Sequence, residues 1–154
     1  MNNLEIVRIN RNNYKDFLKM IHYRVTGEQH DKSKERDLVR ENIDYGYVLD
    51  NKDFYLLAAK VDGTMAAYLA GSIIPKADKR IGTMFIDEVY TADTHRGLGL
   101  AKKLVEEIIR ISKERGLWEA RLTVDIDNNI ARHIYRSKGF SEKECIFGRV
   151  KLND

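Results

Sequence analysis

Two glycines and several cations lie together directly before a segment with helical periodicity, in the run THRGLGLAKK. Gly97 and Gly99 precede the helix, which leaves Arg96 at the mouth of the loop and Lys102 in the first turn. A helix N-terminus has unpaired N–H groups and a partial positive charge, and glycine lets an anion approach them closely. The loop therefore predicts a phosphate-binding site. The alternative is a helix-capping loop without a ligand.

The spacing of this loop departs from two common phosphate-binding motifs. A dinucleotide fingerprint requires a third glycine where the chain has Lys102. A Walker loop requires Gly-Lys-Ser/Thr, which does not follow here. The phosphate ligand therefore has to be identified from the rest of the chain.

Two adjacent carboxylates, Asp87 and Glu88, interrupt the apolar strand-like segment MFIDEVYT. Carboxylates in such a segment are costly unless they are exposed, paired or used in chemistry. Strand alternation predicts that they point to opposite faces, so at most one faces a ligand unless the strand is irregular there. Either is a candidate general base, and solvated or ion-paired carboxylates are the alternative.

A third candidate group lies in NNIARHIYRSKGF, which predicts a short helix that Asn128 caps and Gly139 ends. Ala131 and Tyr135 are one turn apart on this helix, and the small side chain leaves room for a ligand beside it. A tyrosine hydroxyl can donate a proton. The chain has eight tyrosines, so a half-buried structural tyrosine is the alternative reading of Tyr135.

The elements that would position these residues follow from periodicity and turn signals. Apolar alternation, helical spacing and capping residues predict the order β–α–α–β–β–β–α–β–α–β(β), with the strand hairpin turning at Asp62-Gly63. The predicted strands lie at 4–9, within 54–74, and at 81–91, 118–126 and 140–152. The predicted helices lie at 12–24, at 31–43 and at 128–138, and a further one begins directly after the glycine loop. This order indicates an α/β (α+β) protein with helices on the faces of a mixed sheet.

Composition narrows the function classes. The length of 154 residues suits a single domain over 1–154, and 43% hydrophobic with 33% charged residues suits a globular protein. A net charge of +3 is too small to predict nucleic-acid binding, and no apolar run reaches membrane-spanning length. A single cysteine, Cys145, and an N-terminus without a signal-peptide core predict a cytoplasmic protein. We expect Cys145 to be buried in a strand. No histidine pair has metal-ligand spacing, so no metal is expected.

Two of these segments resemble the motifs of the GNAT superfamily of N-acyltransferases. The stretch VYTADTHRGLGLA is similar to motif A, Gln/Arg-x-x-Gly-x-Gly/Ala, whose positions are filled by Arg96, Gly99 and Ala101. The stretch NNIARHIYRSKGF is similar to motif B, Asn-x-x-Ala-x-x-x-Tyr-x-x-x-Gly-Phe, which it fills at every position. The resemblance covers residues 84–140 and implies a GNAT-like fold: a mixed, mostly antiparallel sheet of six to seven strands flanked by about four helices.

The resemblance also implies an activity and a site. It implies transfer of an acetyl group from acetyl-CoA directly to a primary amine of a small molecule or protein. Tyr135 would protonate the CoA sulfur, and Glu88 or Asp87 would remove the proton of the amine. The cofactor-binding residues would be Val89, Tyr90, Thr91, Arg96, Gly97, Leu98, Gly99, Leu100, Ala101, Lys102, Asn128, Ala131 and Tyr135.

Three further expectations accompany this assignment. Residues 22–46 would form a helical flap beside the acceptor. The resemblance suggests a homodimer, because dimers are common in the family. A catalytically silent acyl-CoA-binding sensor or regulatory module is the alternative function. No nucleic acid and no membrane are expected as partners.

Overall fold

The computed structural model of the protein describes residues 2–28 and 48–153. Within these residues the sheet has five strands in the order β1-β2-β3-β4-β5. The strands are β1 Leu4–Arg8, β2 Phe54–Val61, β3 Thr64–Pro75, β4 Gly82–Thr91 and β5 Glu119–Leu122. The first four pair antiparallel and β5 pairs parallel with β4, so the sheet is mixed, as predicted.

Three α-helices have bounds within the described residues: α1 Tyr14–Thr26, α2 Leu100–Glu114 and α3 Asn129–Ser137. Helix α1 packs on one face of the sheet and α2 on the other, because alternate strand residues point to opposite faces. In β2, Leu56 contributes to the cluster beneath α1, whereas its neighbour Leu57 contributes to the cluster beneath α2. Helix α2 buries Leu104, Val105, Ile108 and Ser112 on the side that faces the sheet.

The hairpin between β2 and β3 turns at the predicted dipeptide. Asp62 and Gly63 have φ of 49° and 85°, and Val61 pairs with Thr64 across the turn. Two consecutive positive φ values match the right-handed twist of the flanking strands, and Asp-Gly tolerates them. This prediction is confirmed.

Strand β4 has two irregularities at the same point. Ala70 pairs with Glu88 and Gly71 pairs with Ile86, so Asp87 is an extra residue that β3 does not match. On the other edge of β4, pairing with β5 ends at Ile86. Beyond the bulge, β4 is therefore paired on the β3 side only.

The predicted number of strands is wrong: the described part of the chain has five strands, not six to seven, and it contains three of the four predicted helices. The predicted strand at 118–126 is shortened to Glu119–Leu122, and residues 141–153 form no strand. Apolar residues in this segment have strand propensity, but a strand also needs a neighbour for its backbone groups, and residues 141–153 have none. Cys145 is accordingly exposed, not buried as expected. The helix predicted at 31–43 lies outside the described residues.

Candidate active site

The glycine loop leads from β4 into α2. A 3-10 turn at Asp93–His95 is followed by Gly97 with φ of 81° and Gly99 with φ of 74°. Side chains rarely adopt this left-handed conformation, and a Cβ at either glycine would have no atom within 4 Å. The loop is therefore shaped by glycine backbone geometry, and the space around it is open. Leu100 is 2% exposed and anchors the first turn of α2 in the core.

The backbone N–H groups of residues 97–102 donate to no acceptor in the described chain. The first intrahelical bond of α2 runs from Lys103 N–H to Gly99 O at 3.1 Å. Arg96 and Lys102 are exposed and form no ion pair with the described residues, whereas Lys103 lies 3.7 Å from Glu106. Free N–H groups, a helix dipole and two available cations make this end of α2 suitable for a pyrophosphate. Leu98 and Ala101, also among the predicted cofactor residues, are exposed and half-buried respectively.

The second half of β4 has a free edge. Val89, Tyr90 and Thr91 pair with β3, and no described strand pairs with their other edge. All three are half-buried. Backbone N–H and C=O groups along this edge are available to an amide-containing ligand such as a pantetheine arm.

Asp87 and Glu88 line the same cleft, which has a volume of about 440 Å³ and lies between α1 and the sheet. Regular alternation, which would send the two carboxylates to opposite faces, does not apply here, because the strand irregularity that the sequence left open is present. The bulge at Asp87 is that irregularity, because an unmatched residue interrupts the two-residue alternation of a strand. Both carboxylates are thus candidates for contact with the same ligand.

The cleft contains a hydrogen-bonded cluster of Arg24, Tyr68 and Glu88 that the sequence did not predict. The Tyr68 hydroxyl donates to Glu88 Oε2 at 2.7 Å. Arg24 donates to the same hydroxyl, and its Nη1 lies 3.8 Å from Glu88 Oε2. Burial and the hydrogen bond to Glu88 raise the pKa of Tyr68, so the phenol keeps its proton and holds the carboxylate in place. These residues come from α1, β3 and β4, and no short motif connects them.

Helix α3 begins as predicted. The Asn128 side chain accepts a hydrogen bond from Ala131 N–H at 3.1 Å, so its capping role is confirmed. Ala131 is half-buried.

One turn later, the Tyr135 ring packs against Phe140, with 5.9 Å between ring centroids. The Tyr135 hydroxyl makes no hydrogen bond to the described residues, and burial raises its pKa. Tyr135 is therefore a protonated, unpaired donor at neutral pH.

Ion pairs hold α3 in position. Glu142 accepts hydrogen bonds from Arg132 at 2.7 Å and from Arg136 at 2.9 Å. These bonds lower the pKa of Glu142 to about 2. Lys138 pairs with Glu106 and so connects α3 to α2. The helix that bears Tyr135 is therefore fastened at its C-terminal end.

The structure brings most of the predicted site residues to one region. Val89, Leu100 and Tyr135 all belong to or pack against the same core cluster, beneath α2. Asp87 and Glu88 lie on the α1 side of β4. Because β5 leaves β4 after Ile86, the sheet is open at this point and does not separate the two sides. The two carboxylates thus lie on β4 where β5 ends, and the free edge and the glycine loop follow directly along the chain.

Two histidines belong to the elements of the site, His95 to the turn before the glycine loop and His133 to α3. His133 is exposed, and His95 shares a 2.8 Å hydrogen bond with Thr94. Within residues 2–28 and 48–153, no three His, Cys, Asp or Glu side chains are grouped as metal ligands. No helix in the same residues is long and apolar enough to cross a bilayer.

Comparison with known proteins gives curated relatives of moderate similarity. The chain is 31% identical over 67 residues to an uncharacterized N-acetyltransferase of Methanocaldococcus jannaschii, covering 44% of this chain and 30% of that protein. It is 31% identical over 86 residues to N-alpha-acetyltransferase 30 of Schizosaccharomyces pombe, covering 54% of this chain and 57% of that protein. The chain thus spans between about a third and just over half of the length of these relatives.

Solved structures share the fold at low sequence identity. An aminoglycoside acetyltransferase from an uncultured soil metagenomic sample superposes with a TM-score of 0.76 at 18% identity, covering 97% of both chains. An aminoglycoside N-acetyltransferase solved in complex with CoA gives a TM-score of 0.72 at 17% identity, covering 99% of this chain and 97% of that one. These similarities concern the fold alone.

The family assignment comes from the sequence over most of the chain. The model of the acetyltransferase (GNAT) family matches residues 17–140, which include the bulged strand, the glycine loop and α3. The chain therefore belongs to the GNAT family of acetyltransferases, which are acyltransferase enzymes.

Proposed function

We propose that this protein transfers an acetyl group from acetyl-CoA to a primary amine of a small molecule or protein. One observation carries the proposal: the unpaired N–H groups at the start of α2 lie beside a β4 edge that β5 has left open. The pyrophosphate of acetyl-CoA would bind the N–H groups, and the pantetheine arm attached to it would run along the open edge. A CoA complex of a structure with the same fold supports this cofactor.

The proposed cofactor contacts follow from the geometry of each element. Arg96, Lys102 and the N–H groups of residues 97–102 would hold the pyrophosphate, because they combine positive charge with unpaired donors. The backbone of Val89, Tyr90 and Thr91 would pair with the pantetheine amides as an added strand does. On the far side, Ala131 and Asn128 would border the same arm.

The chemistry requires a base, an electrophile and a group that assists the leaving thiolate. Glu88 would take the proton of the ammonium group, directly or through water, since Tyr68 fixes its carboxylate in the cleft. Asp87 lines the same cleft but has no hydrogen bond that fixes it within the described residues, so it is the weaker candidate. The free amine would then attack the thioester carbonyl, the C–S bond would break to release the CoA thiolate, and the acylated nitrogen would lose its second proton to give the amide.

Tyr135 would donate to that thiolate. Its hydroxyl is half-buried, keeps its proton and has no partner among the described residues. An ordinary thiol has a pKa of about 8.5, well below that of this phenol. The main contribution of Tyr135 would therefore be a hydrogen bond that stabilises negative charge on sulfur. Any proton that Tyr135 passed to the thiolate would be replaced by the one that the acylated nitrogen loses.

A homodimer remains our proposal for the assembly. The segment 141–153 exposes four large apolar side chains, Ile146, Phe147, Val150 and Leu152, with exposed fractions of 69–99%. Contact with a second copy of the chain would remove these side chains from water. Light scattering coupled to size exclusion would measure the state directly, and a monomer at micromolar concentration would contradict the proposal.

The direct test of the function is calorimetric titration with acetyl-CoA, followed by a thiol-release assay with a panel of primary amines. Binding of acetyl-CoA together with amine-dependent CoA release would support the proposal. Binding without release for every amine would favour the silent acyl-CoA sensor, which no observation on this chain supports so far. An absence of binding would contradict both functions.

A further inference from the structure

The cleft beside Glu88 carries chemical information about the acceptor. Ten of the thirteen described residues that line it have apolar or aromatic side chains, among them Phe17, Ile21, Phe54 and Leu56. The volume of about 440 Å³ lies in the range of small-molecule sites. The described lining would therefore present mainly hydrocarbon to a molecule that fills this cleft.

The charges of the cleft are few and lie at one place. Asp87, Glu88 and Arg24 are the three charged residues in its described lining, so the net charge is −1. Arg24 is engaged with Tyr68 and Glu88 and lies 4.8 Å above the Tyr90 ring. One ammonium group at the carboxylates would neutralise the remaining charge.

The rest of the lining offers little to a polar substrate. Apart from these charged groups, the polar side-chain atoms in the described lining are the hydroxyls of Tyr14 and Tyr68. A polycation or a polyhydroxylated sugar would place further ammonium or hydroxyl groups against apolar walls, where polar groups without partners are costly. A single amine on a hydrocarbon body avoids that cost.

We infer that the acceptor is a primary monoamine carried on an apolar body, with its ammonium group at Asp87 and Glu88 and its body between α1 and the sheet. This inference rests on the proposed acetyl transfer and specifies its substrate class. It separates this protein from the aminoglycoside acetyltransferases that share its fold. An apolar amine can be a free small molecule or the N-terminus of a peptide whose first residue is apolar.

The first experiment measures kcat/KM by CoA release for five acceptors: ethylamine, 2-phenylethylamine, a tetrapeptide with N-terminal leucine, spermidine and kanamycin. We expect 2-phenylethylamine or the leucine peptide to exceed ethylamine, spermidine and kanamycin by at least about tenfold, since apolar contact accounts for such ratios. The ranking of the first two identifies the source of the amine. Faster turnover of spermidine or kanamycin would overturn the inference and leave acetyl transfer intact.

The second experiment changes the apolar wall. Ile21 and Val25 are one turn apart on α1 and line the cleft, and Val25 is 77% exposed, so it can be replaced without loss of folding. Ile21→Gln and Val25→Gln should each raise KM for the preferred apolar amine several-fold, to about tenfold. The dissociation constant for acetyl-CoA should not change. Lys15→Gln, an exposed change on the same helix outside the cleft, is the matched control.

If no amine is acetylated, the proposed function fails and binding decides the inference separately. Calorimetry of the protein saturated with CoA would then compare 2-phenylethylamine with ethylamine. Binding of 2-phenylethylamine that is at least about tenfold tighter, and weakened by Val25→Gln, would support the apolar cleft. Equal or undetectable binding of the two amines would overturn it, as would KM values that the wall variants leave unchanged.

Discussion

The Tyr68 hydroxyl of β3 donates a hydrogen bond to Glu88 Oε2 of β4 at 2.7 Å, just beyond the bulge at Asp87. Arg24 of α1 bonds to the same hydroxyl, so three elements meet at one carboxylate oxygen. The other oxygen of Glu88 has no hydrogen-bond partner among the described residues. Tyr68 and Arg24 thus orient the carboxylate and leave its other oxygen available to an amine.

The first prediction distinguishes the two carboxylates. We expect Glu88→Gln to lower kcat about 10²-fold or more, the usual contribution of a general base, because the amide cannot accept the proton. Asp87→Asn should lower it less than about tenfold. Steady-state kinetics with one amine would measure both, with calorimetry confirming that each variant still binds acetyl-CoA. The reverse order would assign the base to Asp87, and two active variants would remove both from the mechanism.

The second prediction concerns the pyrophosphate loop. Gly99→Leu places a side chain where φ is 74° and the surrounding space is open. The positive φ costs about 1–2 kcal/mol of stability, and the side chain would occupy the path of an anion to the N–H groups of α2. We expect acetyl-CoA affinity to fall at least about tenfold. Gly63→Leu, in the β2–β3 turn with φ of 85°, is the control for strain alone and should bind acetyl-CoA normally. Equal affinity in the two variants would contradict the role of the loop.

The third prediction tests the hydroxyl of Tyr135. Tyr135→Phe keeps the ring contact with Phe140 and removes the donor. We expect kcat to fall about tenfold to a hundredfold, as for removal of a donor to developing charge, with acetyl-CoA affinity within about twofold of the parent. Tyr55→Phe makes the same chemical change at a hydroxyl that accepts from Arg115 at 2.6 Å, away from α3, and should leave kcat unchanged. A fully active Tyr135→Phe enzyme would exclude Tyr135 from the reaction.

The fourth prediction concerns the ion pairs that Glu142 forms with Arg132 and Arg136 of α3. Its pKa is lowered to about 2 by Arg132 and Arg136, so its contribution to stability is present above its ordinary pKa of 4.5. As the pH falls from 4.5 towards 2 this contribution is lost, because the unfolded chain takes up the proton first. Glu142→Gln should therefore lower Tm at pH 7, and the difference from the parent should shrink between pH 4.5 and 2.

Thermal denaturation at several pH values measures this effect. Glu5→Gln, at an exposed carboxylate with no ion pair in the described residues, serves as the control and should leave Tm nearly unchanged. A Tm difference for Glu142→Gln that stays constant down to pH 2 would show that the two arginines do not act through the charged carboxylate.

The sequence by itself determined the local features of the site. The helix after Gly99, the capping by Asn128 and the turn at Asp62-Gly63 depend on sterics and hydrogen bonds within a few residues. The strands at 54–74 also followed, because continuous apolar runs bounded by turn signals are typical of strands that are covered on both faces. Two motifs with their spacing were enough to identify the family.

Only the tertiary structure decided which groups meet at the cleft. Arg24 and Glu88 contact Tyr68 across 44 and 20 residues of sequence, and no local pattern encodes such a contact. The bulge at Asp87 depends on the register against β3, and it turned two carboxylates expected on opposite faces towards one cleft. The last apolar segment shows the same limit. Its propensity favours a strand, but a strand forms only where another edge offers hydrogen bonds, and that is a property of the assembled sheet.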